Sequence, residues 1–210
     1  MAGPYFKAKP LIEKYDVAVF SSNYNLYGDL SWRVMETLRM ILGRNNVEVY
    51  SVDEAFLDLS IFPPNELPVI AEKIKKTVET WTGIKVSVGV APTKVLAKVA
   101  NRLSKKYVQQ YKGVMVLNSK EKIIAALKQT EVGDIWGVGY QYAQKLKEQW
   151  SIYDAYQLSR MSEDFGKVYL GGVVGSRLLR ELKGIPSKDM EEELVTKRMI
   201  ATTRMFGKPV

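Results

Sequence analysis

Strands alternating with helices through the first half of the chain, then helices alone, predict an α+β fold. Three observations carry that reading. Two short β-rich runs, residues 47–51 and 55–60, lie so close together that only a turn joins them. Leu26, Leu30, Val34, Leu38 and Ile41 recur at helical spacing, as do Val69, Ile70, Ile74, Val78 and Trp81. After Ser119 the strand pattern stops, which places a domain boundary near residue 118.

Taken in order, the chain opens with a short basic segment and an apolar run, Val17-Ala18-Val19-Phe20, that predicts a strand. The first periodic helix ends at Gly43, and the two β runs flank Asp53-Glu54 as a hairpin or as strands broken by a tight turn. Pro63-Pro64-Asn65 leads into the second helix, which stops at Gly83. Residues 85–90 alternate as a strand, Pro92-Thr93 opens a helix running to about Lys106, and residues 114–117 form a further strand. The expected sheet is antiparallel or mixed, covered by helices on one side. Helices follow at 120–128, 140–149, 152–160 and 171–183, with one more strand reading at 199–205.

Composition narrows the chemistry. The 210 residues include no Cys and no His, which excludes disulfides, thiolate or imidazole metal sites and histidine acid–base catalysis. Any metal must be held by oxygens, as magnesium, manganese or calcium are. Thirty-one Lys and Arg against 23 Asp and Glu give a net charge of +8, which suits a polyanionic partner. No apolar run approaches the roughly 20 residues of a membrane span, and residues 1–10 lack a signal-peptide core, so a cytoplasmic location is expected.

Three motifs bear on function. Asp53-Glu54 sits between two apolar strands. Adjacent strand residues face opposite ways, so the two acids can share one ion only where the chain turns or bulges. The pair then reads as a divalent-metal site or as an acidic turn exposed to water. In the helix after Thr93, Lys94, Lys98, Arg102 and Lys105 share one narrow face beside an apolar one. That stripe reads as a phosphate-binding surface, helped by the free N–H groups of the helix start, or as a solvated face. Gly137-Val138-Gly139 between helical stretches reads as the turn of a helix-hairpin-helix that grips a DNA phosphate through its backbone, or as a plain turn between helices.

Together these segments resemble the UmuC branch of the Y-family translesion DNA polymerases. The resemblance is carried, in order, by Phe20-Ser21-Ser22-Asn23-Tyr24-Asn25-Leu26-Tyr27, by residues 50–56 and 86–98, by Asp134-Ile135-Trp136-Gly137-Val138-Gly139, and by Thr203-Arg204-Met205-Phe206-Gly207. It implies a partial ferredoxin-like palm (residues 23–118, first strand missing) followed by a small helical thumb (119–190, helix-hairpin-helix about 133–150). Residues 1–22 are then a remnant of the fingers, and 191–210 the linker and first strand of the little finger. It further implies that Asp53 and Glu54 are catalytic and hold two Mg2+ ions. Lys98, and less directly Lys94, would contact the nucleoside triphosphate, and Gly137, Val138, Gly139, Arg102 and Lys105 would contact DNA. Primer-template DNA would be bound weakly, salt-sensitively and without sequence preference. A UmuD-type subunit, a recombinase filament and the sliding clamp are the implied partners.

The family's opening strand, Asp-x-Asn-x-Phe-Tyr, has no counterpart here. Asp16-Val17-Ala18-Val19-Phe20 imitates it but leads straight into the following helix, so Asp16 is expected at a strand edge or turn. Without that strand and its carboxylate, the resemblance implies an inactive fragment of a DNA repair and SOS-mutagenesis polymerase, or a non-catalytic DNA- or partner-binding remnant. It also implies self-association through the exposed palm edge.

Overall fold

In a computed structural model of the chain, residues 4–191 are described. The strand expected at 199–205, the motif 203–207 and the little-finger linker lie outside them. Helix α1 (Tyr5–Lys14) comes first, where the sequence predicts only a basic segment. It buries no residue and runs through Pro10, which lacks the N–H for one helical hydrogen bond. Val17 to Phe20 form no strand; Phe20 is 87% exposed. A β run becomes a strand only where another strand accepts its hydrogen bonds, and among the described residues none pairs with it. Asp16 takes a left-handed turn, with φ +47°.

Helix α2 (Tyr24–Leu42) starts where the Asn23 side chain accepts the Leu26 N–H at 3.0 Å, and it ends at Gly43. A short 3₁₀ turn, Arg44–Asn46, leads to β1 (Val47–Val49) and, across a turn, to β2 (Ala55–Leu57). These pair antiparallel, with Glu48 opposite Phe56. Helix α3 (Leu67–Thr82) packs on α2 and ends at left-handed Gly83. Strand β3 (Val88–Val90) leads to α4 (Lys94–Lys106), then to the single turn α5 (Val108–Tyr111) and to β4 (Val114–Val116), which pairs parallel to β3. A Cβ at Gly89 would overlap the backbone of Ala97 and Asn101, so this glycine is what lets α4 lie directly on β3.

The sheet departs from expectation: among the described residues it is two separate pairs, β1–β2 and β3–β4. Tyr50 donates to Glu54 O at 3.0 Å and Asp58 to Asn46 O at 2.9 Å. By the alternation of an antiparallel ladder, Ala55 and Leu57 therefore aim their N–H and C=O groups away from β1. Val88 donates to Gly113 O and Val90 accepts from Leu117, so Gly89 likewise aims its backbone groups away from β4. A cleft of about 1680 Å³ is lined by residues of both pairs and by Val34, Met35, Leu38, Ile74 and Val78 of α2 and α3.

The remaining elements among the described residues are helical: α6 (Lys120–Lys128), a 3₁₀ turn Val132–Asp134, α7 (Tyr140–Trp150), α8 (Ala155–Ser159), α9 (Glu163–Tyr169) and α10 (Val173–Leu182). Ser119, Asp154 and Ser162 cap their helices through side-chain oxygens. Helix α9 is absent from the sequence prediction, and α8 is shorter than expected. One core joins Val132, Ile135, Leu146, Ile152, Leu158, Leu179 and Leu182 with Val95 and Leu96 of α4, so α4 packs on both halves of the chain. No helix among the described residues is long and apolar enough to cross a membrane.

Candidate functional site

The turn between β1 and β2 is tight. Both Tyr50 and Ser51 donate their N–H to the Glu54 carbonyl at 3.0 Å, which folds residues 51–54 over the strand ends. Asp53 is exposed and accepts from the Ser51 hydroxyl at 2.7 Å. Glu54 points to helix α4 and pairs with Lys98 at 2.6 Å. Asp53, Glu54, Lys94 and Lys98 all line the cleft, and of these four Glu54 and Lys98 meet directly.

Lys98 sits in an aromatic cage, its Nζ 4.9 Å from the Tyr50 ring centroid, 5.6 Å from Phe56 and 5.5 Å from Trp136. The three rings pack against each other with centroids 5.4–5.6 Å apart. Ring faces attract an ammonium group, so the cage positions Lys98 toward Glu54. Trp136 also lies 3.8 Å under Lys188. Burial pushes the Lys188 ammonium below the usual lysine range, against the opposing pull of Glu181.

The basic stripe is neither bare nor simply solvated. Lys94 pairs with Glu48 at 2.5 Å and donates to the Asp189 carbonyl at 2.7 Å. Lys98 pairs with Glu54, and Arg102 with Asp134. Lys105 stays exposed. The start of α4, which the sequence offers to phosphate, is already taken: Val95 N–H donates to the Glu181 carboxylate at 3.0 Å.

Gly137 has φ +98°, a conformation that requires glycine. Val138 is buried, and Gly139 precedes α7. The element before this turn is the 3₁₀ turn Val132–Asp134 where an α-helix is expected. The Val138 N–H is spent on Ile135 O at 2.9 Å, so it is not free for a phosphate.

Sequence reasoning missed Glu48, Asp134, Glu181 and the aromatic cage. One signal was present: Glu181 interrupts the apolar face Leu178, Leu179, Leu182 of α10, where a charge is out of place. The others come together only across the fold.

Residues 1–102 match the impB/mucB/samB family. The chain belongs to that family. It is 40% identical over 208 residues to Protein UmuC of Salmonella typhimurium, spanning 99% of this chain and 48% of that protein. Protein ImpB of Salmonella typhimurium is 34% identical over 213 residues, 100% of this chain and 49% of the relative. A DNA polymerase IV of Brucella melitensis is 34% identical over 209 residues, 96% of this chain and 43% of that one. This impB/mucB/samB-family chain thus spans about half the length of the curated relatives it matches. Its fold is similar to that of Dbh DNA polymerase in an insertion ternary complex, with TM-score 0.71 and 26% identity over 90% of this chain and 52% of that one.

The donors at 53 and 54 suit magnesium in kind, since carboxylate oxygens are the ligands it takes. In number they are few. Among the described residues no group of three or more acids stands together.

Proposed function

We propose that this chain forms the palm and thumb of a translesion DNA polymerase and takes part in template-directed nucleotidyl transfer. The observation that carries the reading is the Glu54–Lys98 pair at a cleft that Asp53 also lines: one of two adjacent carboxylates meets a caged ammonium group. Asp53 and Glu54 would hold magnesium, which neutralises charge on the transferring phosphoryl group and acidifies the primer hydroxyl. Lys98 exchanges Glu54 for a triphosphate oxygen, its direction preset by the three rings. Lys94 is the weaker candidate, because Glu48 and Asp189 already hold it. Arg102 and Lys105 continue the same face toward DNA, and the backbone at Gly137 and Gly139 approaches a phosphate. A cytoplasmic setting and the UmuD-type, recombinase and clamp partners belong to this proposal.

A second reading, a non-catalytic DNA- or partner-binding unit, is favoured by one observation. Each site carboxylate already has a protein partner, Ser51 for Asp53 and Lys98 for Glu54. Two acids also confine two dications and a triphosphate poorly, and lost positioning is worth orders of magnitude in rate.

Titration of the 210-residue chain with a fluorescent deoxynucleoside triphosphate in magnesium, alongside primer extension, tests both readings. Binding that weakens at least severalfold in Lys98→Met, without extension by this chain alone, is expected. Absence of any nucleotide binding would remove the site assignment. Templated incorporation that vanishes in Asp53→Ala would show that these two acids suffice and would discard the second reading.

A further inference from the structure

Glu181 has no solvent exposure at all, yet it carries a carboxylate. Burying a charge is costly unless hydrogen bonds replace its water. Here two do. One oxygen accepts the Val95 N–H of α4 at 3.0 Å, and the other accepts the Ser187 N–H at 3.0 Å. A third bond runs in parallel, from the Thr93 hydroxyl to the Glu181 carbonyl at 2.8 Å. The acid therefore sits at the positive end of the α4 dipole, where anions are favoured, and clips the start of α4, 86 residues away, to α10 and to the segment that begins six residues after it.

Those segments carry the site. Residues 187–191 run across the start of α4. The Asp189 carbonyl accepts from Lys94 at 2.7 Å, the Glu191 N–H donates to Glu48 at 3.0 Å, and Lys188 stacks on Trp136. Trp136 is in turn one wall of the Lys98 cage.

We propose that Glu181 is a positioning residue whose two carboxylate oxygens fix the start of α4, and with it Lys94 and Lys98, against α10 and residues 187–191. What those lysines act on rests on the proposed function; their position does not. The role needs two acceptors on one side chain. A glutamine of the same size has one acceptor oxygen and one NH2 donor, so it can satisfy only one of the two N–H groups and turns a donor toward the other.

Glu181→Gln separates this role from mere space filling. The chain has no cysteine, so nitroxide labels at Lys106→Cys and Asp189→Cys report one distance between α4 and the 187–191 segment. In the parent the distribution is narrow, and Lys94 resists acylation when amines are pulse-labelled and read by mass spectrometry. In Glu181→Gln the distribution broadens and Lys94 labels severalfold faster, while Glu131→Gln, an exposed acid opposite Lys147, changes neither. Hydrogen exchange on the unsubstituted chain gives a second check: the Val95 and Ser187 amides are protected together. An unchanged distance and unchanged Lys94 labelling in a folded Glu181→Gln, or rapid exchange of either amide in the parent, overturns the proposal. Both readouts report position alone, so loss of nucleotide binding in the parent speaks against the proposed function and not against this role.

Discussion

The two halves of the chain solve the same problem unequally. In the helical half, residues 119–185, each helix closes its own backbone hydrogen bonds, so apolar faces need only meet, and Leu146, Ile152, Leu158, Leu179 and Leu182 are all but sealed from water. In residues 24–118 the strands depend on neighbours. Two pairs form, but Ala55, Leu57 and Gly89 turn backbone groups toward a shared cleft. A helical unit can thus be complete as it stands, while a sheet of this kind keeps open edges wherever a strand has no partner.

The largest expected effect tests that contrast through stability. Leu179→Ala, at a position with no exposure, lowers unfolding free energy by about 2–5 kcal/mol. Leu57→Ala, half-buried at the cleft, lowers it by roughly 1 kcal/mol or less. Equal losses in denaturant titrations would erase the distinction. Next comes association. The outward-facing groups of β2 are expected to pair between copies, giving a concentration-dependent dimer in sedimentation velocity. Ala55→Pro removes one outward N–H at the first residue of β2 while leaving the ladder to β1 intact, so it weakens the dimer severalfold. A monomer at all concentrations would mean that the edge is guarded.

The smallest effect concerns Glu79, at the end of α3. The Lys75 ammonium beside it, at 2.7 Å, holds its carboxyl below the usual glutamate range, and the Val86 N–H adds to this at 3.2 Å. A depressed carboxyl stabilises the fold above its ordinary pKa, and that contribution is lost as pH falls through the lowered value. Melting temperature therefore drops less between pH 6 and about pH 3 in Glu79→Gln than in the parent. Identical slopes would show that the bond tying α3 to the approach to β3 is not stabilising.

Helices with an apolar stripe and a start or stop residue were legible in the sequence: α2 ending at Gly43, α3 ending at Gly83, α4 behind Thr93. So was the turn at Asp53-Glu54, because two β runs four residues apart leave the chain no other path. Helix α1 was not legible, since it has no apolar stripe and contains a proline. The strand at Val17 to Phe20 was misread for the converse reason: its pattern suits a strand, but pairing is decided elsewhere in the chain. At the site, the acids and lysines were found by residue type and spacing. Their partners were not, because Glu48, Asp134 and Glu181 reach α4 from separate elements.

That ladder of paired charges along α4 changes what recognition by this face means. A bare row of lysines releases loosely held ions when a polyanion arrives. Here Glu48, Glu54 and Asp134 must be given up as well, so a phosphate competes with the protein's own carboxylates for each cation. Under the proposed function, a ligand that offers charge at several rungs together, or brings metal for the acids it displaces, would open the row more readily than a single loose anion.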